Sequence, residues 1–198
     1  MGKKKPNVTP GFGRAPIVKP VIKLDLGCGP NKKEGFTGVD VRQFDGKVDV
    51  VHDLTKRWPW KDESVQEVHC SHFIEHLDAG ERVFFINELH RVLVPGGKCT
   101  LIAPYAFSER AYGDMTHKWP PVVGFWFYYL DKAWRAANAP HSGYDADVDF
   151  QATWGYSLHQ SLAGRNQEYV QNAILYWKEA CQDIQATLEK KIPAAPTT

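Results

Sequence analysis

The sequence predicts an α/β fold in which helices connect the strands of a mainly parallel sheet. Short apolar runs recur in the first hundred residues, and the first three of them stop at a glycine turn or near an aspartate, as buried parallel strands do. A capped amphipathic helix lies between two of these runs, and strand, helix, parallel strand is the right-handed crossover unit. The length of 198 residues suits one core, since single domains extend to roughly 250 residues.

Five strands are predicted in the N-terminal half of the chain. The first, residues 21–26, is an apolar run that ends at the turn Gly27-Cys28-Gly29-Pro30. The second and third runs end close to aspartates, and the fourth and fifth flank the predicted helix. The bounds of these four strands are 36–41, 48–52, 65–71 and 98–103.

The predicted helix begins with a capping-box pattern. Asp78 and Glu81, three residues apart, can each accept a hydrogen bond from a backbone N–H that the first helical turn leaves free. Pro95-Gly96-Gly97 is predicted to end the helix, because glycine readily takes the left-handed conformation of a helix end. The apolar residues at helical spacing are Val83, Ile86, Leu89 and Leu93.

The C-terminal third differs in composition. Residues 105–146 are aromatic and rich in Pro and Gly, and the run from Trp119 to Trp134 is predicted to form core and lid. Residues 147–158 are predicted as a strand, and 183–188 as a last, short strand. A helix is predicted between them from the apolar face formed by Val170, Ala173, Ile174, Trp177 and Cys181.

Composition and charge limit the function classes. The 24 Lys and Arg against 23 Asp and Glu leave a net charge of +1, whereas nucleic-acid binders usually show a strong basic excess. The longest apolar run, residues 122–130, is too short for a membrane span of about 20 residues. The four cysteines show neither metal-site spacing nor a secreted disulfide pattern. A soluble, reduced, cytoplasmic protein is expected.

Three predicted strand ends together indicate a nucleoside site. Gly27 and Gly29 allow backbone to approach a ligand where a Cβ would collide. Asp40, at the tip of the second strand, can accept hydrogen bonds from both hydroxyls of a ribose. Asp53, at the end of the third strand, can accept one from an adenine amino group. A dinucleotide is not expected, because the G-x-G-x-x-G turn and its helix are missing.

Three sequence blocks, in this order and spacing, resemble the class I S-adenosylmethionine-dependent methyltransferases. They are LDLGCGPNKKEGFTGVDV, HDLTKRWPWKDESVQEVHCSHFIEHL and ELHRVLVPGGKCTLIAPY, which together cover roughly residues 20–105. The stretches GDMTHKWPPV and ATWGYS also resemble methyltransferase-domain proteins of bacteria and phages. The resemblance implies a Rossmann-like sheet of seven strands, the last antiparallel, with S-adenosylmethionine across the ends of strands one to four.

The resemblance also implies roles for individual residues. Those around the methionine part of the cofactor are Asp25, Gly27, Cys28 and Gly29. Asp40 matches the acid that binds the ribose, and Asp53-Leu54 matches the adenine loop. Ser71 and His72 match the end of strand four, beside the transferred methyl.

The predicted organisation is a flexible N-terminal segment of residues 1–19 followed by a single methyltransferase domain of residues 20–198. Within that domain, 20–105 form the cofactor-binding half, 106–160 the substrate or lid region, and 161–198 the C-terminal helix and last strand. No linker or internal repeat divides the sequence.

The chain departs from the family pattern between strands one and two. Asn31 stands where the family has its third glycine, and only nine residues separate Gly29 from Val39. The family's first helix is therefore expected to shrink to about one turn. This departure motivates a second hypothesis, a non-catalytic module that binds S-adenosylmethionine.

The segment His72-Phe73-Ile74-Glu75-His76 fits H-x-x-E-H, a zinc-peptidase pattern in which two histidines one turn apart hold the metal. That motif belongs inside a long helix, whereas here it follows a strand and precedes the helix cap at Asp78. A zinc peptidase is therefore the less favoured alternative, and no metal ligand is predicted.

Methyl transfer needs an aligned nucleophile, and a hydroxyl or amine acceptor needs a base to remove its proton. The predicted catalytic residues are His117, Asp114 and His76. His117 and Asp114 would form a base and its orienting carboxylate. The same side chains can instead cap turns or fill polar niches, and that alternative stays open.

The acceptor is expected to be a small molecule or a sugar, methylated at oxygen or nitrogen. The fourth strand ends in His69-Cys70-Ser71-His72, without the NPPY or PC motif of enzymes that methylate DNA bases. Together with the near-neutral charge, this argues against a nucleic-acid partner. No membrane partner is expected, and the sequence does not indicate an oligomeric state.

Overall fold

Seven strands and four helices are found in the computed structural model, which describes residues 21–142 and 147–193. The strands are β1 (Ile22–Leu26), β2 (Thr37–Asp40), β3 (Val50–Val51), β4 (Val65–Ser71), β5 (Leu93–Pro104), β6 (Phe150–Leu158) and β7 (Cys181–Lys190). The helices are α1 (Ala79–Val92), α2 (Arg110–Gly113), α3 (Lys132–Asn138) and α4 (Gln167–Tyr176). Short 3-10 helices cover Ile74–His76, Gly124–Leu130 and Gln160–Leu162.

All seven strands join one sheet in the order β3-β2-β1-β4-β5-β7-β6. The strands β1 to β5 run parallel to one another, whereas β7 runs antiparallel to both β5 and β6. This confirms the predicted Rossmann-like fold class with its antiparallel last strand. The strand order reverses between β1 and β4, and open α/β sheets bind ligands outside the carboxyl ends of strands at such a switch point.

The helix α1 is fixed by its cap and by its apolar face. The Asp78 carboxylate accepts a hydrogen bond from the Glu81 N–H at 2.9 Å, and the Asp78 N–H donates to the Glu81 carboxylate at 2.8 Å. The predicted capping box is therefore present. The fully buried residues on the sheet-facing side are Phe85, Ile86, Leu89 and Val92. Burial of each such side chain contributes about 1.5–3 kcal/mol, which holds α1 against the sheet.

The strand β5 begins earlier than the sequence predicts. The helix was expected to reach Pro95-Gly96-Gly97, but α1 ends at Val92 and β5 starts at Leu93. Leu93 pairs with Val65 of β4, and the pairing is irregular over the next few residues, where Gly96 has a φ of 78°. The strand therefore begins before the glycine turn, through the pairing of Leu93 with Val65, and the turn lies within the strand as an irregularity.

The C-terminal elements are also displaced from their predicted bounds. Cys181, predicted on the helix face, is the first residue of β7, because α4 ends at Tyr176. The strand β7 continues to Lys190, since it pairs along its length with β5 on one side and β6 on the other. The strand β6 begins at Phe150 rather than at residue 147.

The connection between β1 and β2 is a series of turns. Residues 27–36 contain no helix, in line with the short spacing of the sequence. The Lys33 N–H donates to the Asp25 carboxylate at 2.7 Å, so the connection is held at its middle by a buried side chain of β1. The site on this side of the sheet is therefore formed by backbone turns.

The aromatic run predicted as core and lid divides between the core and the surface. Phe127 and Leu130 are buried, whereas Trp119 is 76% exposed. The Phe127 ring packs on Trp154 of β6 with centroids 5.5 Å apart. The buried half of the run therefore covers the end of the sheet formed by β6.

Some predictions fall outside the described residues. The N-terminal segment 1–19 is one of them, and residues 143–146 and 194–198 lie outside as well. Within the described ranges, no helix is long and apolar enough to cross a membrane.

Candidate functional site

The turn after β1 is built for close approach of the backbone. Gly27 and Gly29 have φ values of 68° and 52°, which favour glycine. The Gly27 N–H donates to the Val39 carbonyl of β2 at 2.9 Å. A Cβ on Gly27 would lie 2.5 Å from the Phe73 ring, whereas one on Gly29 would meet no atom within 4 Å. The turn is therefore tightly packed at Gly27 and open at Gly29.

Asp40, at the end of β2, holds this turn from the side. One carboxylate oxygen accepts a hydrogen bond of 2.9 Å from the Gly29 N–H, and the other accepts one of 3.3 Å from the Arg42 N–H. The side chain is only partly buried. Each carboxylate oxygen has two lone pairs, so Asp40 retains acceptor capacity for hydroxyls of a ligand.

Asp25 lies beneath the turn and is 3% exposed. Its two oxygens accept hydrogen bonds from the Lys33 N–H at 2.7 Å and from Nδ1 of His69 at 2.8 Å. One partner lies in the loop after β1 and the other in the neighbouring strand β4. Asp25 therefore positions the loop that follows β1, and Gly29 and Asp40 form the open edge of the site.

Asp53 and Leu54 follow β3. One Asp53 oxygen accepts hydrogen bonds from the Thr55 hydroxyl at 2.7 Å and the Thr55 N–H at 2.9 Å, and these bonds lower the pKa of the Asp53 carboxyl. Leu54 is 3% exposed, and its carbonyl accepts a hydrogen bond from the Trp58 indole. The His52 N–H donates to the Asp40 carbonyl at 2.8 Å, which joins this loop to β2.

The Cys28 thiol stays neutral within this turn. Burial and the negative charges of Asp25 and Asp40 raise its pKa to about 11. A thiol with that pKa is a weak nucleophile near neutral pH, since the thiolate is the reactive form. Cys28 therefore lines the turn as a small uncharged side chain.

The end of β4 changes direction at His72. Ser71 is the last residue of the strand, and His72 has a φ of 53°, which is uncommon for a residue other than glycine. Nδ1 of His72 lies 3.4 Å from a carboxylate oxygen of Glu75, and this carboxylate raises the pKa of the imidazole. The turn directs the following 3-10 helix, Ile74–His76, away from the sheet edge.

A second group of polar side chains lies where this 3-10 helix meets the segment after α2. The imidazole rings of His76 and His117 have centroids 4.8 Å apart. Nδ1 of His76 lies 3.0 Å from the Thr116 hydroxyl, which donates to the Asp114 carboxylate at 2.7 Å. Asp114 lies 4.0 Å from Nε2 of His117. The three predicted catalytic residues are therefore neighbours, joined through Thr116.

Hydrogen bonding determines the tautomers of both histidines. Nδ1 of His117 lies 3.2 Å from the Ala111 carbonyl, which can only accept, so this nitrogen carries a proton. The single proton of the Thr116 hydroxyl points to Asp114, so Thr116 accepts from Nδ1 of His76. Each neutral imidazole therefore has its lone pair on Nε2.

Hydrogen bonds to main-chain carbonyls hold the 3-10 helix with His76 against the segment with His117. The Lys118 N–H donates to the Glu75 carbonyl at 2.8 Å. The buried guanidinium of Arg82 donates to the carbonyls of Ile74 at 3.0 Å, Lys118 at 3.2 Å and Pro120. One side chain of α1 thus fixes the spacing between the histidines.

The histidine pair borders a pocket of about 340 Å³ between the end of β4 and α2. Glu75 is 4% exposed and also borders this pocket. Neither oxygen of its carboxylate has a hydrogen-bond partner among the described residues. Arg110, on the opposite wall, is paired with Asp183 through two contacts of 2.8 and 3.1 Å.

The predicted site residues form two groups. Asp25, Gly27, Cys28, Gly29 and Asp40 surround the turn after β1. His76, Asp114 and His117 surround the pocket beyond β4. Ser71 and His72 lie between the two groups, at the carboxyl end of β4.

The zinc-peptidase interpretation of H-x-x-E-H is wrong. Such a motif needs His72 and His76 one turn apart on one helix. His72 instead follows the last residue of β4 and has a positive φ, and the helical segment Ile74–His76 is three residues long. His76 faces His117 of a distant segment.

Sequence reasoning missed three residues of this region as site residues. Phe73 packs against Gly27, Glu75 is a buried carboxylate facing the pocket, and Thr116 joins His76 to Asp114. Glu75 offered a signal, since an acid next to two histidines follows a strand end. The contacts of Phe73 and Thr116 depend on how distant segments meet.

Comparison with known proteins gives one family match. A family profile described as "Methyltransferase domain" matches residues 30–101. No curated protein sequence gives a significant match to the chain.

Solved structures are similar in fold at low sequence identity. An S-adenosylmethionine-dependent methyltransferase from Archaeoglobus fulgidus is 21% identical, with a TM-score of 0.61 and 87% of each chain covered. A Bacillus halodurans protein described as a methyltransferase is 15% identical, with a TM-score of 0.51, covering 90% of this chain and 96% of its own. The cyclase SpnF is 17% identical, with a TM-score of 0.51, covering 91% and 79%. The fold alone therefore does not define the chemistry.

Proposed function

We propose that the chain is a class I S-adenosylmethionine-dependent methyltransferase that methylates an oxygen or nitrogen of a small molecule or a sugar, which the methyltransferase-domain match over residues 30–101 and the fold support. The enzyme uses S-adenosylmethionine as its methyl donor. The proposal concerns the acceptor and the residues that act on it. The observation that carries it is the pocket bordered by the lone pairs of His76 and His117, next to the end of β4.

The residues around the first turn fit the methyl donor. Gly29 leaves open space at the carboxyl edge of β1, and Asp40 has acceptor capacity for the two ribose hydroxyls. Asp53 and Leu54, at the end of β3, would contact the adenine. When bound, S-adenosylmethionine supplies a methyl group activated by a positively charged sulfur. The family match favours this enzyme over a non-catalytic binding module.

His117 is the proposed proton acceptor. Its Nδ1–H is held by the Ala111 carbonyl, so the Nε2 lone pair is fixed in direction. The Asp114 carboxylate, 4.0 Å from Nε2, stabilises the imidazolium once the acceptor proton has moved to this atom. His76, oriented by Thr116, presents a second lone pair next to the first. An acceptor O–H or N–H placed between them loses its proton as the new bond to carbon forms.

The size and charge of the pocket support a small acceptor. A volume of about 340 Å³ is at the lower end of ligand sites, which span about 300–1,000 Å³. The net charge of +1 lacks the basic excess that is usual in proteins that bind a polyanion such as RNA. A sugar or small metabolite with a hydroxyl or amine satisfies both limits.

A transfer assay with labelled S-adenosylmethionine tests the proposal. Pools of nucleotide-free metabolites, sugars and RNA are incubated separately with the protein, and the labelled product is identified by mass spectrometry. Label in a metabolite or sugar, at oxygen or nitrogen, is expected. Label only in RNA or in a carbon position would overturn the acceptor class.

The role of His117 is tested in the same assay with the identified acceptor. His117→Ala should lower kcat by about 10²–10⁴-fold, the range for loss of a general base, while the Kd of S-adenosylmethionine stays within twofold. The matched control is His159→Gln, a histidine outside the pocket, which should keep the wild-type kcat. An unchanged kcat in His117→Ala would show that the proton goes elsewhere.

A further inference from the structure

Three side chains at the pocket have the composition of a metal site. One potential ligand atom from each of Glu75, His76 and His117 lies within 4.8 Å of the other two. Two imidazoles and one carboxylate hold catalytic zinc in some enzymes and non-haem iron in others. Two neighbouring imidazoles could serve either as bases or as metal ligands. The state of the Glu75 carboxylate and the orientation of each imidazole therefore determine which role is favoured.

The Glu75 carboxylate points to a cation. It is 4% exposed, and both of its oxygens are without a hydrogen-bond partner within the described part of the chain. A buried carboxylate without partners is costly, and in proteins such a group is usually paired or bound to a metal. The nearest positively charged candidate is the His72 imidazole at 3.4 Å, with a geometry that does not form a hydrogen bond.

Both histidines are prepared as ligands. Metal-binding histidines typically donate their other ring N–H to a carbonyl, a carboxylate or a bridging group. His117 donates to the Ala111 carbonyl, and His76 donates through Thr116 to Asp114. These bonds leave the lone pair of each neutral imidazole on Nε2, the nitrogen available to bind a metal.

We propose that Glu75, His76 and His117 bind a divalent first-row transition cation such as Zn²⁺ in this pocket. Donors bound at about 2.1 Å in a tetrahedral site lie about 3.4 Å apart, so ligand atoms that are now within 4.8 Å of one another would approach by up to about 1.4 Å on binding. Glu75 and Asp114 supply two negative charges, and Arg110 on the far wall is neutralised by Asp183. His117 takes the place that the H-x-x-E-H interpretation gave to His72.

The cation would occupy the atoms that act on the acceptor in the proposed function. The inference rests on the proposed function: a cation held by Glu75, His76 and His117 would supply Lewis-acid chemistry to an acceptor oxygen, and Asp114 in place of His117 would take the acceptor proton. Binding of the cation itself does not depend on which acceptor is used, and it is measured without one.

Binding is tested on untagged, chelator-treated protein by titration with Zn²⁺ and Co²⁺. One equivalent of Zn²⁺ should bind, and Co²⁺ should give visible absorption bands that Zn²⁺ abolishes. Glu75→Gln, His76→Ala and His117→Ala should each weaken binding more than tenfold, and Thr116→Val should weaken it about 10–100-fold as the loss of a group that orients a ligand. Thr116→Ser should restore it.

The control is His159→Gln, which should bind like wild type, and circular dichroism verifies the fold of every variant. The buried thiols Cys70 and Cys99 do not compete, because burial raises their pKa values far above the assay pH. Equal affinity of wild type and a folded His76→Ala/His117→Ala double variant would overturn the proposal. A chelator-treated wild-type protein that binds no Zn²⁺ in the titration but still transfers labelled methyl would overturn the cation site and leave the proposed function intact.

Discussion

The Asp40 carboxylate accepts a 2.9 Å hydrogen bond from the Gly29 N–H, so the proposed ribose acid of β2 also shapes the turn after β1. Two neighbouring strand ends are thereby joined into one structural unit. A change at Asp40 consequently has two effects, one on the conformation of the turn and one on the hydroxyls that the carboxylate would bind.

These effects can be separated by two substitutions. Asp40→Ala removes both and should abolish measurable binding of S-adenosylmethionine in calorimetry. Asp40→Asn keeps an oxygen that can accept from Gly29 but loses the charge and an acceptor, so affinity should fall by about 10–100-fold, equivalent to one or two hydrogen bonds to a charged group. Asp45→Asn is the control, since Asp45 is exposed and asparagine tolerates its φ of 48°. Equal affinities of Asp40→Ala and wild type would place the cofactor elsewhere.

The glycines of the turn provide a matched pair. Gly27→Ala and Gly29→Ala introduce similar strain, because both φ values are positive, but only the first places a Cβ 2.5 Å from the Phe73 ring. Gly29→Ala should lower the free energy of unfolding by about 1 kcal/mol and Gly27→Ala by clearly more, as measured in urea. In a double-mutant cycle with Phe73→Ala the excess should become smaller without vanishing, because the ring is removed while the Cβ of residue 73 stays 2.8 Å from the new methyl group. Equal losses for the two single variants would show that Phe73 moves aside freely.

Much of the sheet was predictable because its signals are local. Apolar runs that end in glycine or aspartate mark β1 to β3, and the capping box of Asp78 and Glu81 marks the start of α1. Boundaries that depend on partners were not predictable. The strand β5 starts at Leu93 because Val65 of β4 pairs with it, and Cys181 joins β7 because Leu158 of β6 pairs with it.

The same distinction applies to the candidate site. The turn after β1 is visible in sequence because Gly27, Gly29 and Asp40 are close along the chain. The contact of His76 with His117 spans 41 residues and depends on how Arg82 and Lys118 bring two segments together. A sequence pattern cannot reveal that, among the described residues, both carboxylate oxygens of Glu75 are left without a hydrogen bond when they meet.

Stability near pH 6 should depend on His90. Burial, with a further contribution from the positive charge of Lys190, lowers the pKa of this imidazole in the folded state. The unfolded chain therefore binds the proton more readily, so stability is intact above the unfolded pKa of about 6.5 and falls as the pH drops below it. His90→Gln should flatten the pH dependence of the free energy of unfolding between pH 7 and 5, measured by urea denaturation. Parallel wild-type and variant curves would assign the slope to other groups.

Arg82 is predicted to act as a positioning residue for the histidine pair. It is 5% exposed and donates to the carbonyls of Ile74, Lys118 and Pro120, so it connects α1 to both segments of the pocket. Lysine has one ammonium group in place of the planar fork and cannot reach all three. Arg82→Lys should therefore lower the free energy of unfolding by about 1–3 kcal/mol, the cost of leaving buried carbonyls unsatisfied.

The same substitution should change kcat and leave cofactor affinity almost constant, because these hydrogen bonds of Arg82 go to the two segments that carry the histidines and not to the turn after β1. Labelled-methyl transfer measures the first and calorimetry the second, under conditions where the variant is folded. Arg57→Lys is the matched control, since Arg57 is 68% exposed and its pairing with Glu88 and Asp62 can be kept by an ammonium. A parallel loss of cofactor affinity in Arg82→Lys would mean that the two groups of site residues form one unit, and Arg82 would then stabilise the fold without specifically positioning the histidines.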